Sequence, residues 1–441
     1  MGMSEVKLPE ITPERLKKVR QRLGGLNTPV TVAKMGALVD SYWEEVRRAP
    51  EEGKKVAWVV GLGTILTNAA GMVSVLHAAY GPYCTARREE VPILDIANTG
   101  FGFLPDTCSY LRLFMGLLHA WDTGQIDKIA ETHRMPKPDL VIGSRVCSEH
   151  SAIGELVARH ADCPYALLDA DPTECHSEAE FRKRVAYVER QIKEDIIPLI
   201  EQVTGRPYDY DKLSEMLAIH KRVAMMRSEV AELMKNKPSP ATMFDLGISV
   251  GTLVSEMGRP ETEAYYGEFL KEIKDRVAKG IGVTSPENYR IYWDGYSTWA
   301  VLGTIMRIMG PRGGIPIMGR YISGGFWPCP EAIDPERPLW SIASNQIRYL
   351  NSTSPDRAGP LIMDTIRDYS VDACVFLSFV SCRLWNVGQE EWAEEIERRF
   401  GIPSLIFDAD MIDRTFIDEA RLRTRIEALL ETVDARRRRW V

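Results

Sequence analysis

The sequence holds no apolar stretch near the ~20 residues that a membrane-spanning helix needs. Its first residues, MGMSEVKLPEITPERLKKVR, lack the apolar centre of a secretory leader. Together these absences predict a cytoplasmic protein without a membrane partner. A positive surplus is missing too: the net charge is −7 and the pI near 5.7. The one basic run, Arg436 to Arg439, stands at the C-terminus, where arginines complement a helix dipole, so nucleic acid is not an expected partner. None of the eight cysteines forms a close C-x-x-C pair, which argues against a zinc ribbon and an adjacent redox dithiol. In a reducing compartment a disulfide framework is equally unexpected. There is no G-x-x-x-x-G-K-[ST] loop, so ATP is not bound through that motif. Gly61 and Gly63 in VVGLGTILTNAAG do not complete G-x-G-x-x-G and read as a tight strand-to-helix turn.

What is present is enough for a large core: 441 residues, 45% hydrophobic and 27% charged, more than one domain usually takes. Residues 1–50 carry apolar positions at helical spacing and read as an N-terminal helical segment. Residues 51–176 alternate β-rich runs (KKVAWVV, VPILDIA, DLVIGSR, YALLDAD) with helix-length stretches at 64–79 and 106–122, the rhythm of a parallel sheet flanked by helices. Residues 177–285 are long charged helices, a connector. The αβ rhythm returns over 286–441 with NYRIYWDGY, GIPIMGRY, DACVFLSF and IPSLIFDAD, followed by a C-terminal helix. The predicted class is therefore α/β with two parallel-sheet domains. A near repeat supports it: an apolar run, a cysteine, a polar helical stretch and a second apolar run closing on Asp-Ala-Asp occur at 143–171 and again at 380–410.

Ligands of open parallel sheets bind beyond the carboxyl ends of the strands. Cys147 follows DLVIGSR and Cys382 follows DACVFLSF, so both fall on that rim. Cys108 in LPDTCSYLRLFMGLLHA falls in the first turn of a predicted helix capped by Asp106 or Thr107, where free amides are expected to lower a thiol's pKa below about 8.5. Cys374 reads as core, Cys163 as core or loop at the amino end of a strand, and Cys84, Cys175 and Cys329 as loop residues. Spacing alone leaves two readings of Cys108, Cys147 and Cys382: unrelated buried or rim thiols, or the ligands of an iron–sulfur cube with one iron lacking a protein thiol. Glu149 and His150 beside Cys147 are weak candidates for moving protons, and His176 stands beyond another strand end. His77, His119 and His220 read as structural histidines in helices. Gly313 and Gly314 punctuate a helix-to-strand loop, while Gly324 and Gly325 would admit a ligand near the rim.

The segments PDTCSYLRLFMG, PDLVIGSRVCSEH, YDYDKLSEMLAIHKRVAMMRSEV, RIYWDGYSTWAVL, YISGGFW and the long stretch FLSFVSCRLWNVGQEEWAEEIERRFGIPSLIFDADMIDRTFIDEARLRTRIEALLETVDARR resemble the family of ATP-dependent benzoyl-CoA reductases and 2-hydroxyacyl-CoA dehydratases. The resemblance is greatest to the larger iron–sulfur subunit of the reductase. It implies two Rossmann-like domains and a [4Fe-4S] cluster between them, with the family's three cluster cysteines falling on Cys108, Cys147 and Cys382. Ser148 and Arg383 stand where family members often carry Asp, which implies a different charge beside the cluster. The implied partners are an acyl-CoA substrate, a homologous smaller iron–sulfur subunit, an ATP-hydrolysing iron–sulfur activator and, upstream, a ferredoxin-like donor. The implied activity is one-electron reduction of an aromatic acyl-CoA. The alternatives are radical dehydration of a 2-hydroxyacyl-CoA and a non-catalytic electron-relay subunit.

Overall fold

The structure, a computed structural model, describes residue 6 and residues 8–60, 63–170, 175–295, 299, 301–323, 329–349 and 354–439. Gly61, Gly324 and Gly325, singled out above, lie outside them. Two four-stranded parallel sheets carry the fold. In the first, β1 (Val56–Val60) lies between β2 (Val73–Leu76) and β3 (Leu140–Ser144), and β4 (Tyr165–Leu168) pairs with β3. In the second, β5 (Tyr289–Asp294) lies between β6 (Gly314–Met318) and β7 (Ala373–Phe379), and β8 (Ser404–Ala409) pairs with β7. The orders β2-β1-β3-β4 and β6-β5-β7-β8 are the same topology used twice, as the near repeat in sequence anticipates. Every residue of β1, β2, β3, β5 and β6 is buried, because helices cover both faces of a parallel sheet and select continuous apolar runs.

Two elements differ from the sequence reading. VPILDIA is not a strand but lies within helix Glu90–Phe101, whose buried Ile93, Leu94, Ile96 and Ala97 share one helical face. The left-handed Gly102 (φ 67°) ends it. The stretch 64–79 is not one helix. Helix Thr64–Ala69 stops before Gly71 (φ 74°), the short β2 follows, and a second helix runs over His77–Ala86. Four residues of β2 gain their pairing only from β1, a tertiary partner that periodicity does not see. Between 177 and 285 the described residues are helical or irregular, led by Tyr210–Leu233 and Pro260–Ala278.

The N-terminal helices are part of the packed body. In helix Met35–Arg48, Tyr42, Trp43 and Val46 are buried, Tyr42 donates to the Ser74 carbonyl of β2, and Trp43 packs on Tyr80 and Tyr83. Helix Pro13–Arg22 buries none of its own residues, yet its exit at Gly24 (φ 74°) presses on Met306 of helix Leu302–Met309 so closely that a Cβ would stand 2.4 Å from backbone.

Candidate functional site

Strand order reverses beside β1 and β3 in one sheet and beside β5 and β7 in the other, and crevices open at such switch points. Cys147 follows β3 and Cys382 follows β7, so the duplicated topology delivers one thiol from each half. Cys108 comes from the start of helix Ser109–Asp122, which precedes β3. All three line one cavity of about 430 Å³.

The local device is the same three times: each cysteine is the N-cap residue of its helix. Cys147 caps Ser148–Ala161, and its sulfur accepts from the His150 backbone N–H at 3.4 Å. Cys108 caps Ser109–Asp122 and Cys382 caps the short helix Arg383–Asn386 without a capping hydrogen bond at the sulfur, although the nearby Leu111 and Tyr110 amides, and the Trp385 amide, favour their thiolates. Cys108 itself, not Asp106 or Thr107, is therefore the cap.

The expected lowering of the thiol pKa is overturned. All three are pushed up to about 12, first by burial. The amides pull the other way, but each thiol is raised further by a neighbouring one: Cys108 by Cys382, Cys147 by Cys108, Cys382 by Cys147. Desolvation wins even at Cys382, where Arg320 pulls the other way. Arg383, next to Cys382, turns outward with an 88% exposed side chain and meets Asp106 at 3.5 Å. Three soft sulfur donors with backbone amides aimed at them, neutral unless metal cations replace their protons, form a set that suits an iron–sulfur cluster.

Behind the thiols runs a network that sequence reading missed. The Ser109 amide donates to Ser381 Oγ at 3.3 Å and the two hydroxyls lie 3.1 Å apart. Ser381 Oγ donates to Asp410, which also accepts from the amides of Ser381, Ile412 and Asp413 at 2.9–3.2 Å. Buried Arg112 reaches Asp413 at 3.1 Å. Ser109 and Ser381 are the immediate neighbours of Cys108 and Cys382, so these bonds fix the spacing of two thiols that come from different halves. The available signal was the repeated Asp-Ala-Asp, whose second occurrence ends in Asp410. Asp171, its counterpart, lies outside the described residues.

Of the proton-moving candidates, Glu149 and His150 line the thiol cavity and His176 does not. His77, read as structural, also lines it. Its Nε2 lies 2.8 Å from Nε2 of His150, and the Val59 carbonyl accepts from its ring. Burial drives both imidazoles toward the neutral form, His77 well below its usual range and His150 to about 4. A neutral His77 that donates to Val59 presents Nε2 as an acceptor, so the proton between the rings belongs to His150 Nε2. That leaves His150 Nδ1, buried and without a hydrogen-bond partner, as a lone pair.

The remaining thiols stay away from the cavity. Cys374 is buried in β7 and Cys163 sits half-buried before β4. Cys175 and Cys329 are half-buried outside helices and strands, as the sequence suggested. Cys84 is not in a loop: it is fully buried in helix His77–Ala86, where burial and the neighbouring Glu90 push its pKa up. Gly313 (φ 76°) turns the chain into β6 as expected.

The family described as 2-hydroxyglutaryl-CoA dehydratase, D-component, matches residues 64–433. The chain belongs to this family. Relatives include a benzoyl-CoA reductase subunit of Thauera aromatica, 26% identical over 357 residues that cover 78% of this chain and 80% of the relative. The alpha subunit of lactoyl-CoA dehydratase of Anaerotignum propionicum is 25% identical over 402 residues, covering 89% and 94%. The alpha subunit of (R)-2-hydroxyglutaryl-CoA dehydratase of Acidaminococcus fermentans is 26% identical over 304 residues, covering 68% and 61%. The family resemblance read from the sequence is thereby shown, and this family member stands among subunits of acyl-CoA reductases and dehydratases.

Proposed function

We propose that this family member is the [4Fe-4S] subunit of a benzoyl-CoA reductase-type enzyme, holding its cluster on Cys108, Cys147 and Cys382. The observation that carries the reading is the convergence of three N-capping thiols, from both halves of the fold, on one cavity. A bound cluster of this kind supplies single, strongly reducing electrons to a thioester-activated acyl group. The chain's own part is to hold, shield and accept a proton. Ser109, Ser381 and Asp410 fix the thiol spacing, Trp385 and Tyr110 wall the cavity against water, and His150, which lines it, holds its buried Nδ1 as a proton acceptor. The relatives' subunit designations support a paired homologous subunit. The absence of a phosphate loop here supports a separate ATP-hydrolysing activator, fed by a ferredoxin-like donor.

Dehydration of a 2-hydroxyacyl-CoA is the second reading, favoured by the fuller coverage of the chain by dehydratase alpha subunits. The C-terminal segment from Phe376 to Arg437 favours the reductase. Counting ATP separates them. The chain is reconstituted with its paired subunit and activator, supplied with an aromatic acyl-CoA, and followed over many turnovers. ATP consumed in every turnover with a dienoyl product supports the reductase. ATP needed only to start, with activity confined to 2-hydroxyacyl-CoA, replaces it by the dehydratase.

A further inference from the structure

A second cavity, of about 780 Å³, lies against the thiol cavity, and Ala78 lines both. Its walls come from the N-terminal helices, helix His77–Ala86, helix Val250–Ser255 and helix Leu302–Met309. We propose that this cavity binds the coenzyme A portion of the substrate: the phosphates at a basic mouth, and the pantetheine arm along a narrow corridor that delivers the thioester past Ala78 to the thiols. The inference rests on the acyl-CoA reading above and adds to it the route and the residues.

Three observations carry it. The first is charge. In a chain of net charge −7, six arginines and lysines line this cavity against two acids, Asp40 and Glu256. Arg87 is paired with Asp40, Arg88 with Glu419 and Lys18 with Glu14. Arg15 and Arg22, seven residues apart and so on one face of helix Pro13–Arg22, have no carboxylate partner among the described residues. Two free guanidiniums on one helix face suit phosphate.

The second is bore. Gly36 and Gly251 line the cavity with Ala33, Ala78 and Ala79. A Cβ on Gly251 would meet only the Ala79 Cβ, at 4.0 Å. The small residues leave room for a thin, flexible arm between the aromatic walls of Tyr42, Trp43 and Tyr83. The third is the polar group inside. Glu256 is 6% exposed, its Oε1 lies 3.8 Å from Arg259, its Oε2 has no hydrogen-bond partner, and burial outweighs Arg259 to push its carboxyl up to about 8. The unmet Oε2 is a hydrogen-bond partner for the amides of a pantetheine arm.

The test measures binding of coenzyme A, pantetheine and ADP to the full-length chain by calorimetry. Wild-type protein is expected to bind coenzyme A more tightly than either fragment. The double substitution Arg15→Gln, Arg22→Gln is expected to weaken coenzyme A by roughly tenfold or more and to leave pantetheine unchanged. Gly251→Leu is expected to abolish binding of both coenzyme A and pantetheine, while Gly251→Ala binds like wild type. Unchanged pantetheine binding shows that the arginine variant is folded, and an unchanged circular dichroism melt does so for Gly251→Leu. Coenzyme A binding that none of these substitutions alters overturns the route and leaves the acyl-CoA reading standing. ADP binding as tightly as coenzyme A also overturns it, in favour of a nucleotide site. No binding of coenzyme A or an acyl-CoA by wild-type protein overturns the acyl-CoA reading itself.

Discussion

At the scale of single residues, burial and hydrogen bonding set the chemistry. Raised to about 12, the Cys108, Cys147 and Cys382 thiols hold their protons near neutral pH, and the cluster proposed above would have to displace them. Anoxically purified protein is therefore expected to be brown, with about four irons per chain. Serine at any of the three positions should remove most of the iron, and serine at Cys374 or Cys163 should leave it. Stoichiometric zinc without iron after anaerobic reconstitution would refute the assignment. The imidazole pair makes a second prediction. His77→Phe removes the acceptor that holds the His150 proton on Nε2, so both tautomers of His150 become populated. Turnover should fall by roughly one to two orders of magnitude with iron content unchanged. A nitrogen NMR spectrum of the His150 ring in the metal-free chain reads the tautomer directly, and an unaltered spectrum would contradict the assignment of the proton to Nε2.

The elements transmit these local effects. Asp410 accepts four hydrogen bonds that tie the loops after β7 and β8 to the start of helix Ser109–Asp122. Replacing it by alanine strands buried donors, at a cost of roughly 2–4 kcal/mol. The expected result is an earlier thermal transition and a cluster lost more readily to chelator, although all three cysteines remain. Glu256, just past helix Val250–Ser255, acts in the opposite sense. Its folded pKa, about 8, lies above the ordinary carboxyl value of 4.5, so the folded state retains a proton that the unfolded chain releases. Its contribution to stability is neutral below about pH 4.5 and falls as pH rises from there through 8. Glu256→Gln should raise the melting temperature by a few degrees at pH 8.5 and leave it unchanged at pH 4.5. A shift that is larger in acid would reverse the sign argued here.

On the scale of the whole molecule, two copies of one sheet topology face their switch points toward a shared crevice. That arrangement leaves the thiols supplied from both halves and the larger cavity closed by the N-terminal helices. Such a chain is expected to work only in a pair. Sedimentation of the native protein should show a stable assembly with a related subunit, over an interface of roughly 2,000 Å² or more. A monomer retaining full turnover would refute this.

The α/β class, the duplication and the candidate thiols were legible in one dimension. Buried parallel strands leave apolar runs, and a cysteine placed just after such a run sits on the ligand rim whatever the details of packing. The same logic failed where the deciding partner is distant. VSVL becomes β2 only against β1, and VPILDIA becomes helical because one of its faces is buried. The Cys108 thiol, predicted acidic from its helix start alone, is weakly acidic because burial outweighs the amides. His77 left its place among structural histidines because β1 and the helix after Cys147 bring Val59 and His150 to its ring. The sequence by itself determined which residues carry sulfur, charge and apolar surface, and their order along the chain. Only the tertiary structure decided which of them share a cavity, since desolvation and hydrogen-bond partnership depend on neighbours hundreds of residues away.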